Sequence, residues 1–122
     1  MTQIAPPSPP AVTAILHEAG IEVDTSPRRL SEYSYDASNY RVEPIGVVFP
    51  HDADQVAAIV QACHGTGTPL TGRGGGTSMA GNAVGPGLVL DTTPYFNDLL
   101  AIDEENLWVD LEPGMVLATL ST

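Results

Sequence analysis

The sequence predicts an α/β (α+β) fold: a small mixed sheet with flanking helices. Three observations predict it. The apolar run Val47-Val48-Phe49 is stopped by Pro50, and a helix-periodic segment and a second short strand at residues 68–71 follow. A glycine-rich stretch from Gly72 to Gly87 leads into another apolar run, Leu88-Val89-Leu90-Asp91. Residues 99–103 and 107–112 read as an antiparallel pair around the turn Glu104-Glu105-Asn106.

Along the chain, residues 1–10 include four prolines and read as a disordered lead-in. Residues 11–46 read as an N-terminal helix followed by an ordered loop segment. In the helix Val12, Ile15, Leu16 and Ala19 recur at helical spacing, and Gly20 suits the position after its end. Ser26-Pro27 reads as the start of a helical turn, with Ser26 as the cap and Pro27 at the first helical position. The stretch from Tyr33 to Tyr40 has no period, and its tyrosines and small polar residues suggest a loop packed on something. From residue 47 the pattern is strand, helix, strand. Asp52 caps the helix with Gln55 three residues on, as in a capping box. Val56, Ile59, Val60 and Cys63 give its apolar face, and Gly65 or Gly67 ends it. Pro113-Gly114 breaks the last strand, and Met115 onward turns helical. Val116, Leu117 and Leu120 begin an apolar face with no stop signal before Thr122, which reads as a fragment or a truncated reading frame.

Composition excludes several function classes. The 122 residues are 43% hydrophobic and 16% charged, which is globular rather than disordered. With 15 acids, four arginines and no lysine the net charge is -11, so the basic face that nucleic acid requires is missing. One cysteine, Cys63, can make no internal disulfide and has no zinc spacing around it. The N-terminus has neither the basic nor the apolar region of a signal peptide, and no stretch is long enough for a transmembrane segment. A cytoplasmic protein is the expectation; peripheral membrane association of the parent is compatible with it.

Gly72-Arg73-Gly74-Gly75-Gly76-Thr77-Ser78-Met79-Ala80-Gly81-Asn82 is the informative segment. Glycines let backbone N–H groups approach a ligand unobstructed and permit positive φ. Successive exposed N–H groups make an anion-binding concavity, to which Thr77 and Ser78 add hydroxyls. Arg73 is the only basic residue from position 42 onward, in company with ten acids. Two readings stand for it: an ion pair with one of those acids, or a charge facing a bound phosphate. The spacing matches neither common nucleotide motif. Counting from Gly72 or Gly74, the sixth position of GxGxxG is Thr77 or Met79. Between Gly76 and Gly81 the P-loop glycines are present, but Asn82 and Ala83 replace its lysine and hydroxyl. A tight turn with no ligand is the bland alternative.

The order of elements weighs against that alternative. Val47 to Pro50, a helix from Asp52 to His64, Thr68-Pro69-Leu70-Thr71-Gly72-Arg73-Gly74-Gly75-Gly76-Thr77-Ser78 and then Val109-Asp110-Leu111-Glu112-Pro113-Gly114 resemble the FAD-binding domain of the vanillyl-alcohol oxidase and p-cresol methylhydroxylase type. The flavin-linked D-lactate, glycolate and D-2-hydroxyglutarate dehydrogenases share that domain, and Tyr35-Asp36-Ala37-Ser38-Asn39-Tyr40-Arg41 points further, to the lactate-type dehydrogenases, some of them fused to an iron–sulfur module. The resemblance implies that residues 47–122 are part of the first lobe of a two-lobe FAD-binding domain. It implies that Gly74, Gly75, Gly76, Thr77 and Ser78, with Arg73 beside them, hold the FAD diphosphate. Pro50 and Pro113-Gly114 match segments along the adenosine half, and Gly81 and Asn82 match the stretch running toward the flavin. Some relatives bond a histidine here to the flavin; Thr77 and Ser78 take its place, so noncovalent FAD is expected. The parent is then an oxidoreductase for a small-molecule 2-hydroxy acid that passes electrons to an acceptor, an iron–sulfur module downstream being the candidate. Its catalytic residues are expected beyond Thr122, and the fragment alone is expected to be inactive. The alternative from another class is a noncatalytic nucleotide- or anion-binding module.

The remaining polar and aromatic candidates have plainer readings. His17, His51 and His64 read as surface or capping residues, Cys63 as core, and Asp103-Glu104-Glu105 as a solvated turn. Trp108, alternating with Leu107 and Val109, reads as a packing residue. Tyr33, Tyr35 and Tyr40 read either as loop anchors or as the lining of a pocket.

Overall fold

The computed structural model describes residues 9–120. The proline-rich lead-in falls on residues 1–8, outside the described residues, apart from its last two positions, which are helical. Helix α1 spans Pro9–Glu18, and Val12 and Leu16 are fully buried while Ile15 is 46% exposed. Its end is fixed by Gly20 at φ 77. The Gly20 N–H donates to the His17 carbonyl and the Ile21 N–H to the Leu16 carbonyl. This pair of bonds is a Schellman cap, and the buried Ile21 and Leu16 complete its apolar contact.

Helix α2 spans Pro27–Glu32 with Pro27 at its start. Ser26 holds the capping position, but its hydroxyl caps nothing; it donates instead to Asp24 Oδ1 at 2.7 Å. The hydroxyl donates its proton to the carboxylate, and no N–H of the first turn donates to its oxygen. Strand β1 covers Gly46–Val48. Helix α3 follows at Ala53–Thr66, capped by Asp52 accepting from the Gln55 N–H at 2.9 Å. The return bond of the capping box is displaced by one residue, Gln55 Oε1 accepting from His51 rather than Asp52. Gly67, not Gly65, ends the helix at φ 68, in a second Schellman cap that pairs Thr68 N–H with the Cys63 carbonyl. The buried stripe of α3 runs through Ile59, Ala62 and Cys63, leaving Val60 half exposed. Burial raises the Cys63 thiol pKa.

Strands β2 (Leu70–Arg73) and β3 (Leu88–Asp91) complete a sheet of order β1-β3-β2, parallel throughout. An antiparallel bridge between Asp24 and Val47 on the outer side of β1 makes the sheet mixed. Helices α1 and α3 bury one face of it, where Val48, Leu88 and Leu90 join Val12, Leu16, Ile21, Ile59, Ala62 and Cys63 in the core. Strand alternation places Val47, Phe49, Val89, Asp91 and Arg73 on the opposite face, beside α2 and the segment that follows it. Strands β4 (Leu99–Asp103) and β5 (Trp108–Leu111) form a separate antiparallel hairpin with a register shift between Leu99 and Ala101. Its turn is built on Asp103, which accepts from Glu105 and Asn106, and Leu107 adopts φ 58. Trp108 remains 49% exposed, as do Leu100 and Ile102 at 59%, so the expected packing of Trp108 is not found. The hairpin pairs with itself and puts no strand into the main sheet, leaving those side chains uncovered. Helix α4 covers Leu117–Leu120.

Candidate functional site

Because β1, β3 and β2 run parallel, their carboxyl ends share one edge of the sheet. That edge carries Phe49-Pro50, Asp91-Thr92 and Arg73-Gly74, with Val48 opposite Leu90, Gly72 opposite Leu90 and Arg73 opposite Asp91. In open parallel sheets this is the edge where ligands bind. The glycine run leaves β2 here. Among the described residues, the N–H groups of Gly74, Gly75, Gly76 and Thr77 find no acceptor in the protein. Gly75 is exposed, and a Cβ added there would meet only the Thr77 methyl, at 3.7 Å. Gly76 adopts φ 69, and a Cβ there would lie 2.9 Å from Arg73 Cζ. Four adjacent unpaired donors and one left-handed residue make a nest suited to an anion.

The far end of the loop is closed by side chains. Ser78 Oγ accepts from the N–H groups of Ala80 (3.3 Å) and Asn82 (3.2 Å). Gly81, at φ 83, lies against the Tyr40 ring, where a Cβ would come within 2.8 Å of Cδ2. Asp36, buried, accepts from the Ala83 N–H at 3.2 Å. The Ser38 hydroxyl bonded to Asp36 does most to hold that carboxyl below its usual pKa, and the Ser38 and Ala83 N–H groups and the Arg73 charge add to it.

Arg73 pairs with no acid; among the described residues the ion pairs belong to Arg28 and Arg29. Its Nη1 donates to the carbonyls of Tyr35 (2.9 Å) and Ala83 (3.3 Å), and its guanidinium lies 4.8 Å from the centre of the Tyr33 ring. Tyr33 also donates its hydroxyl to Asp91 Oδ2 at 2.5 Å and meets Phe49 edge-on, with centroids 6.1 Å apart. One tyrosine therefore touches the last residue of β2, the last of β3 and the residue after β1. Burial, then the Asp91 hydrogen bond, pushes the Tyr33 pKa up to about 12. Asp91 is itself 4% exposed and also accepts from Thr93 N–H and Oγ1.

The other expected site residues fall around the same edge. Pro113-Gly114 is brought to the loop: the Pro113 carbonyl lies 3.6 Å from where a Gly74 Cβ would be. Gly114 donates to the Phe96 carbonyl and has the Thr92 and Phe96 carbonyls where a side chain would go. Pro50 ends β1 with its side chain fully buried. Next to it the exposed His51 ring stacks on Tyr95, centroids 3.9 Å apart and planes at 28°. His17 and His64 are exposed in the last turns of α1 and α3. Tyr33 is held by Asp91 and Phe49, and the Tyr40 ring lies against Gly81. The row Phe49, Asp91, Arg73 beneath Tyr33 is what sequence reasoning missed. The available signal was Asp91 itself, a carboxylate closing a fully buried strand, which obliges the fold to supply donors.

Comparison with known proteins places these features in a wider set. The family described as an FAD binding domain matches residues 44–122. The chain is 37% identical over 87 residues to the glycolate oxidase subunit GlcD of Bacillus subtilis, covering 69% of this chain and 18% of that protein. It is 38% identical over 87 residues to a D-2-hydroxyglutarate dehydrogenase of Pseudomonas putida, covering 66% of this chain and 8% of that one. The chain thus spans less than a fifth of the length of either relative. The crystal structure of p-cresol methylhydroxylase with substrate bound shares its fold, with a TM-score of 0.73 and 20% identity over 93% of this chain and 23% of the other. Among the described residues no helix is long and apolar enough to cross a membrane.

Proposed function

The chain belongs to the FAD-binding-domain family, and from that premise we propose that its glycine loop holds the diphosphate of FAD within a longer oxidoreductase that acts on a small 2-hydroxy acid. The observation that carries this reading is the set of four unpaired N–H groups from Gly74 to Thr77 at the carboxyl edge of the sheet. A diphosphate fits such a cradle because its oxygens accept what these groups donate, and because Gly75 offers no side chain to hold it off. The Ser78 hydroxyl adds a donor at the end of the run. Gly81 and Asn82 lead on toward the flavin ring, while Pro50 and Pro113-Gly114 border the adenosine half. Bound FAD supplies the hydride acceptor for oxidation of a CH–OH group. This chain's own residues bind and orient it and shield one side of it from water.

The substrate class follows from relatives named for glycolate and D-2-hydroxyglutarate. The absence of histidine after His64 supports noncovalent attachment. An electron acceptor outside this chain, such as an iron–sulfur module, and a cytoplasmic location complete the proposal. It is tested by titrating FAD into the 15N-labelled chain. Amide shifts concentrated on Gly74 to Ser78 are expected. Shifts confined to other segments would refute it; binding is expected to be weak, because one lobe alone offers a single wall of the cofactor cleft. Shifts on the loop with AMP and inorganic pyrophosphate equal to those with FAD would favour a general anion-binding module.

A further inference from the structure

We propose that Arg73 is a positioning residue: locked between the Tyr33 ring and the Tyr35 and Ala83 carbonyls, it sets the shape of the glycine loop from beneath instead of meeting phosphate itself. The proposal rests on the reading of the loop as the FAD diphosphate site.

Three sets of observations carry it. First, the guanidinium is committed. Nη1 serves two carbonyls, at 2.9 and 3.3 Å, one in the segment after α2 and one past the loop, and Cζ lies over the Tyr33 ring, 4.8 Å from its centre. Second, the loop is moulded on it. Gly76 adopts φ 69 directly over the group, and its missing Cβ is what leaves room, Nη2, Cζ and Nε being the nearest atoms to that point. Third, Tyr33 is itself held, by its hydroxyl on Asp91 and by its edge on Phe49. Asp36 ties Ala83, one of the two carbonyl residues, back to the same 33–38 segment. The planar, five-donor fork of arginine is what lets one side chain stack and bridge two acceptors at once; lysine can do neither together. The positive charge still lies under the nest and favours an anion above it, so Arg73 contributes field and shape without contact.

The two roles for Arg73 separate under substitution. A direct phosphate ligand works as a charge, and Arg73→Lys would keep most of the affinity while Arg73→Met lost it. A strut works by geometry, so Arg73→Lys should weaken FAD binding nearly as much as Arg73→Met. Both should lose about tenfold or more, the loss of a charge-assisted hydrogen bond and the stacked contact. Tyr33→Phe, which keeps the ring under the guanidinium and removes only the anchor to Asp91, should give a smaller loss. The readout is FAD titration of the labelled chain together with 15N relaxation of the ligand-free chain. Order parameters at Gly74, Gly75, Gly76 and Thr77 should fall in Arg73→Met while those of α1 and α3 hold. Full affinity in Arg73→Lys, or unchanged loop order parameters in Arg73→Met, overturns the proposal. The relaxation result stands without FAD: a wild-type chain whose FAD shifts fall only on other segments but whose loop loosens in Arg73→Met sinks the cofactor reading and keeps the strut.

Discussion

Alanine at Gly75 and alanine at Gly76 should act in opposite directions on stability, although the two glycines are adjacent. At Gly76 the backbone is left-handed, φ 69, which costs a non-glycine residue about 1 kcal/mol or more. The new Cβ would also stand 2.9 Å from Arg73 Cζ and force the guanidinium to shift. That weakens hydrogen bonds from a charged donor to two carbonyls, worth roughly 2 kcal/mol together when only partly lost. The sum is about 3 kcal/mol, a large share of the 5–15 kcal/mol or so that holds a typical domain together. For a domain of this size each kcal/mol moves the melting temperature by roughly 4 °C, so Gly76→Ala should melt about 12 °C lower. Gly75 lies outside the left-handed region, and its Cβ would make only an ordinary contact with the Thr77 methyl, at 3.7 Å. There alanine removes freedom mainly from the unfolded chain, a gain of about 0.5 kcal/mol, and the melting temperature should hold or rise by roughly 2 °C. Yet that same Cβ occupies the position a diphosphate would approach, so Gly75→Ala should weaken FAD and Gly75→Val should abolish its retention. The assay pairs thermal melts by circular dichroism with FAD titration of the same samples. A Gly75→Ala chain that binds FAD like wild type refutes the assignment of the ligand face. A Gly76→Ala chain that melts like wild type refutes the moulding of the loop on Arg73.

Three further outcomes are expected. Acid precipitation of the intact FAD-loaded protein should release flavin into the supernatant, measured by absorbance; flavin in the pellet would show a covalent bond. The 122-residue chain with added FAD should reduce no dye with D-lactate, glycolate or D-2-hydroxyglutarate, and substrate-dependent reduction would place catalytic groups within these residues. Tyr33 titrates near pH 10.0 when unfolded and near 12 when folded, so its contribution is complete below pH 10.0 and declines as pH rises toward 12. Urea melts across that alkaline range should therefore show a decline that Tyr33→Phe flattens; an equal decline in the variant would assign it elsewhere.

What the sequence made legible was local. Asp52 and Gln55 mark a helix start because a carboxylate and an amide meet backbone donors within one turn. The helix end was legible only as Gly65 or Gly67, and Gly67 takes it by adopting the φ of 68 that the cap requires. The apolar run of β3 and the glycine-rich loop were equally plain. Strand order was not, since nothing within β1, β2 or β3 states that the last of them lies in the middle. Ser26 misled because Asp24, two residues back, competes for its hydroxyl. For Arg73 the ion-pair reading fails among the described residues, because its partners are carbonyls 38 and 10 residues away, and carbonyls leave no mark in a sequence. Trp108 misled because alternation tells which side chains share a face, not what lies over that face.

The central place of β3 has a consequence for how the chain assembles. Until residues 88–91 arrive, β2 has no strand to bond with and β1 has only the bridge at Asp24. The segment that must close to bring them in is residues 74–87, the same glycine-rich stretch that forms the nest. Glycine raises the entropy lost on closure, and parallel pairing across such a span is slow to nucleate. The glycines that leave the nest unobstructed in the finished domain thus retard its formation, and the search time of this one loop should set the pace at which the sheet appears.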